Sequence, residues 1–146
     1  MSGGATPPIR DGRAMIAAMT PVLAPGEFVF CTSSDAERIA KAQPMALGSF
    51  HEREGVSLIL ERAAAEGLGF DVSLPMRRIE LQVRSALDGV GLTAGVAAAL
   101  AADGIPCNVV AAFHHDHVFV PSQMAERAPA ALQQLQSQAA RLAIGA

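Results

Sequence analysis

Residues 76–121 read MRRIELQVRSALDGVGLTAGVAAALAADGIPCNVVAAFHHDHVFVP, a pattern of strand, glycine turn, helix, strand, short turn and strand. Ile79, Leu81 and Val83 alternate with Arg78, Glu80, Gln82 and Arg84. This period of two predicts a strand over 77–84 with one buried and one polar face. Asp88-Gly89-Val90-Gly91 breaks the alternation as a turn, and Leu92, Val96 and Leu100 follow at helical spacing on one stripe. Gly104 suits the left-handed position after that helix, Ile105 can fold back onto Leu100, and Pro106 forbids continuation. Cys107–Phe113 and Val118–Val120 are β-branched and aromatic enough to be the next two strands.

Working back from this stretch, Leu47–Glu52 and Val56–Leu60 bracket Arg53-Glu54-Gly55, which reads as a hairpin with its glycine at the turn. Arg62–Gly67 reads as a short helix closed by Gly67 or Gly69. Phe28–Cys31 reads as a strand buried on both faces or nearly so, and Ser33 or Ser34 as the cap of a helix over Ala36–Ala42. From Glu27 to Arg84 the order is therefore βαββαβ, the ferredoxin-like unit. Arg10–Met19 carries Ala14, Met15, Ala18 and Met19 at helical spacing and ends near Pro21. Residues 1–8, rich in Gly and Pro, are expected to be disordered.

The second half repeats βαββα and closes on a helix from Ser122 to about Leu142, with a kink or restart at Pro129. Too little chain follows for a closing strand. The strand at 77–84 is then claimed by both units, and the second is left with an edge to be covered or paired. The expected class is α+β: two ferredoxin-like (βαββαβ) lobes with antiparallel sheet and helices on one face. The expected domains are an N-terminal segment with a short helix (1–24), a first lobe (25–75) and a second (76–146).

Composition narrows the function. The chain has 146 residues, is 51% hydrophobic and carries a formal charge of −3. That gives ample core and no basic footprint for nucleic acid. Cys31 and Cys107 lie in separate apolar runs, as reduced thiols of a cytoplasmic protein do. No leader for secretion is read at the start, and no run is long enough for a membrane span. Phosphate-loop, nucleophile-elbow and C-x-x-C patterns are missing, and with no Trp or Tyr there is little for bases to stack on.

Two constellations could carry chemistry. The turn Asp88-Gly89-Val90-Gly91-Leu92-Thr93 opens a helix, where free N–H groups attract carboxylates and glycine lets a ligand approach the main chain. The plainer alternative is that Asp88 or Ser85 caps the helix and the glycines merely turn. The second constellation, His114-His115-Asp116-His117, has metal-ligand chemistry. Strand geometry sends His115 and His117 to one face and His114 and Asp116 to the other, so no metal is expected there.

The pieces VGLTA, G-I-x-x-N and HDH-x-F-V of the second half, with GEFVFCTS and F-x-E-x-E-G-x-S-L-I-L of the first, resemble the ACT-domain family of small-molecule sensors. The likeness is to short bacterial tandem ACT-like proteins, similar to arginine-sensing ACT proteins of animal growth signalling. The resemblance implies two ACT-like lobes and a non-catalytic regulatory protein that binds an amino acid without a cofactor. It implies a ligand site at Asp88, Gly89, Val90, Gly91, Leu92 and Thr93, joined by Asn108. The alternative is an ACT-like interaction module that dimerises without ligand. A homodimer is expected for three reasons: the missing closing strand, the small residues along Gly91–Ala102, and the high hydrophobic content.

Overall fold

The computed structural model describes residues 7–144. In chain order its elements are β1 (Ile9–Asp11), α1 (Gly12–Ala18), β2 (Thr20–Leu23), β3 (Phe28–Ser33), α2 (Ala36–Ala42), β4 (Gly48–His51) and β5 (Val56–Glu61), then α3 (Arg62–Gly67), β6 (Met76–Gln82), β7 (Ser85–Val90), α4 (Leu92–Ala102), β8 (Asn108–Ala111), β9 (Asp116–Pro121) and α5 (Arg127–Ile144). Contacts divide the chain into two units, Pro25–Arg78 and the residues up to Ala24 together with those from Ile79 on. Of the stretch 1–8 expected to be disordered, residues 1–6 lie outside the described residues.

In the unit Pro25–Arg78, β5 pairs antiparallel with β3, from Phe28↔Glu61 to Ser33↔Val56, and with β4, from Gly48↔Ile59 to His51↔Val56. Phe28↔Met76 joins β3 to the start of β6. The strand order β6-β3-β5-β4 is that of one βαββαβ unit. Glu52 N–H donates to Gly55 O at 2.8 Å and closes the expected hairpin. Val29, Val56, Leu58 and Leu60 form one core cluster with Ala42 of α2 and Ala65 of α3, so the helices cover one face. On the other face Phe30 is 44% exposed and Phe50 72%, which corrects the reading of Phe28–Cys31 as buried on both sides. The cap of α2 is Asp35, which accepts from Arg38 N–H at 3.3 Å, while Ser33 accepts from Asp35 N–H.

The other unit contains β6 from Ile79 on, α4, β8, β9 and α5. Its closing strand comes from the start of the chain. β2 runs antiparallel to β6, from Thr20↔Gln82 to Leu23↔Ile79. With β6 beside β9 and β9 antiparallel to β8, the order is β2-β6-β9-β8. Counting β6 as first, this is the same βαββαβ order in circularly permuted form. The expected gap is therefore filled from within the chain. Pro21 fits there because β2 is an edge strand, where a missing N–H costs no ladder bond. Ile79, Leu81, Val118 and Val120 face Val96 and Leu100 of α4, Leu132 of α5 and Met15 of α1 in one cluster.

Four local expectations change. The helix expected over Arg10–Met19 begins only at Gly12, after β1. The strand expected over 77–84 ends at Gln82. Asp88, Gly89 and Val90, read as a turn, close the strand β7, which pairs in parallel with β1 through Ile9↔Ser85 and Asp11↔Val90. The helix expected from Ser122, with a kink or restart at Pro129, restarts earlier, at Arg127. A 3-10 turn at Ser122–Met124 precedes α5, and Pro129 falls in the first turn of α5, where no intrahelical acceptor is lost. The stop of α4 is as read. Gly104 is left-handed at φ +69°, and Ile105 N–H reaches back to Leu100 O at 2.9 Å.

Candidate functional site

The passage from β7 into α4 turns on Gly91, whose φ of +110° is a left-handed conformation that a side chain resists. Gly91 is also the N-cap, and no side chain caps the helix. The first helical bond is Gly95 N–H to Gly91 O at 3.0 Å. The N–H groups of the first turn, Leu92 to Ala94, therefore lack intrahelical acceptors. Neither Asp88 nor Ser85 performs the capping that would explain the turn by structure alone. The N-terminal segment holds this turn from behind. Ile9 N–H donates to Arg84 O at 2.7 Å, and a Cβ on Gly12 would fall on the Val90 carbonyl. Ile16 Cδ1 lies 2.7 Å from where a Gly95 Cβ would stand.

In front of the turn lies a cavity of about 500 Å³ lined by Gly89, Val90, Gly91, Leu92, Thr93, Met15 and Asp116, among others. Asp116 is 8% exposed. It opens β9 opposite Ala111. Burial pushes its pKa above the ordinary value, partly offset by the positive fields of His117 and His115. A first-turn set of free donors and a buried acid thus line one cavity.

Asp88 lies elsewhere. Its exposed carboxylate pairs with Arg10 Nε at 3.2 Å and lines a smaller pocket of about 290 Å³ with Arg84, Phe113 and His114. Asn108 opens β8 opposite Phe119 and does not line the larger cavity. The sequence reading missed Met15 and Ala111 as lining residues, and gave Asp116 a turn or ligand-pocket role only as part of the His114–His117 tetrad. The signal for Asp116 was present, since it alternates in phase with Val118 and Val120, both fully buried.

The histidines diverge. His115 points at the β6 side, with Nδ1 3.4 Å from Val83 O and Nε2 3.8 Å from Glu80 Oε1. His114 meets Phe113 edge-on at 5.0 Å in the hairpin turn. Among the described residues no three His, Cys, Asp or Glu side chains converge as metal ligands, and no helix is long and apolar enough to cross a membrane. Burial raises the pKa of the Cys31 and Cys107 thiols, which disfavours the nucleophilic thiolate.

The fold is a tandem ferredoxin-like module with a cavity at the start of α4. ACT-domain family models match residues 7–77 and 74–134. The chain is similar over 85% of its length, and over 94% of the other chain, to a Vibrio cholerae protein of unknown function described as a possible transport protein, at 36% identity and a TM-score of 0.75. The chain belongs to the ACT-domain family, whose domains are regulatory, non-catalytic modules. An Agrobacterium tumefaciens protein (21% identity, 81% of this chain and 89% of that one, TM-score 0.65) shares the fold. So does the ligand-free regulatory subunit of aspartate kinase from Thermus thermophilus (12% identity, 81% and 96%, TM-score 0.60). No curated protein sequence matches the chain.

Proposed function

We propose that the chain is a non-catalytic sensor of an amino acid, held in the cavity at the start of α4. The N–H groups of Leu92 and Thr93 take the ligand carboxylate, favoured by the positive end of the helix. Gly89, Val90 and Gly91 let the ligand lie against the main chain. Asp116 takes the ammonium or another cationic group. The observation that supports this reading is that an uncapped helix start and the largely buried Asp116 line the same cavity. Regulation follows if the ligand binds one arrangement of the protein better than another, which shifts the population toward it.

A thermal-shift screen of the twenty protein amino acids tests the proposal. A ligand at a hundred times its Kd stabilises the native state by about 2.7 kcal/mol, a readily measured rise in Tm. A chain whose Tm answers to none of them is not this sensor. The second reading, a module that dimerises without ligand, draws on Leu87, Val90 and Phe113, which are 69%, 79% and 76% exposed. A dimer with no ligand response would favour it.

A further inference from the structure

We infer that Met15, from the N-terminal segment, sets which amino-acid side chains the cavity admits. The inference rests on the amino-acid reading of the site and concerns its selectivity.

Both charged ends of such a ligand have partners in the cavity, the start of α4 and Asp116, so its side chain must lie on the apolar wall. From Ser85 to Ala94 that wall comes from β7, the turn and the start of α4, with Leu87, Val90 and Leu92 as its larger side chains and Ala86, Ala94 and, from β8, Ala111 as its small ones. Met15 is 1% exposed and is contributed by α1, a different stretch of chain. Its methyl group stands where a Cβ on Gly89 would be 3.0 Å away, so it lies directly against the turn. An unbranched thioether also fills such a space adaptably. Its length therefore decides how much room remains beside the zwitterion.

The N-terminal segment is placed well enough to hold this wall. β1 pairs with β7, Arg10 pairs with Asp88, and Gly12 lies against Val90 and Gly91 without room for a Cβ. Met15 thus has a fixed position relative to the glycine turn, as a selectivity wall must.

The test is calorimetric titration of the full chain with each of the twenty amino acids, for wild type, Met15→Leu and Met15→Ala. Shortening Met15 should move the preference toward larger side chains. The Kd ratio between the best small ligand and a larger one should change on the order of tenfold or more in Met15→Ala, and less in Met15→Leu. Met15→Leu conserves volume and carries the test if Met15→Ala does not fold. A methionine that only packs would weaken every ligand by a common factor in step with Tm, and that result overturns the inference. A wild-type chain that binds no amino acid defeats the sensor reading itself, and this inference with it.

Discussion

At the scale of single residues, Asp116 carries the most weight. Its folded pKa lies above the ordinary 3.8 because burial disfavours the charge. The folded state therefore holds its proton more tightly than the unfolded state. Stability from this group is fully present below about pH 3.8 and is lost as pH rises through the folded value. At neutral pH the ionised carboxylate costs stability, so Asp116→Asn should leave Tm unchanged or raised at pH 7. The same variant should abolish any amino-acid response, which separates a binding role from a structural one. A lowered Tm with the response intact would place the cation elsewhere. Gly12 gives the opposite kind of prediction. A Cβ there meets the Val90 carbonyl, and Gly12→Ala should cost about 1–3 kcal/mol in chemical denaturation as overpacking. The turn at Gly91 was legible as the break before a helical stripe, whereas Asp88, Gly89 and Val90, read with it as a turn, close β7. Which acid would face the turn was not legible, because Asp88 is adjacent in sequence and Asp116 only in space.

At the scale of elements, the turn chemistry was the most readable part. Gly104 was assigned the left-handed position from Gly-Ile-Pro alone, and its φ is +69°. Gly104→Ala should cost about 1 kcal/mol, measured by denaturant unfolding, because alanine resists that conformation. The hairpin at Glu52–Gly55 and the helices α2 and α3 were legible for the same reason: their signals are local. β2 and β7 were not. Thr20–Leu23 is short and contains Pro21, which reads as a helix stop, and its partner Ile79–Gln82 is far along the chain. Ser85–Val90 contains Asp-Gly, a turn signal, and becomes a strand only because β1 pairs with it. Pairing between distant segments leaves no periodicity to read. The permutation has a direct check. Removing residues 1–24 takes away β2, Met15 and Met19, and the region from Ile79 on should lose its cooperative transition by native-state hydrogen exchange. Full protection of β6 and β9 without those residues would contradict the strand order.

At the scale of the whole molecule, two of the sequence arguments for a homodimer are met within the chain. β2 supplies the closing strand, and Gly91, which caps α4, and Gly95 within it are approached by Gly12 and Ile16 of α1. The expectation now rests on the exposed Leu87, Val90 and Phe113. Sedimentation at micromolar concentration should give about 30 kDa, twice the 15.1 kDa of the chain, and a species at 15.1 kDa would remove the dimer. The class of the fold was legible because βαββαβ is written in local patterns, whereas the sharing of strands along the chain was not. The central claim, an amino acid bound between the start of α4 and Asp116, is tested most directly by the Tm of wild type and Asp116→Asn against the twenty amino acids at pH 7. The account predicts at least one amino acid that raises the wild-type Tm and leaves Asp116→Asn unmoved. Equal shifts in both proteins, or none in wild type, would contradict it.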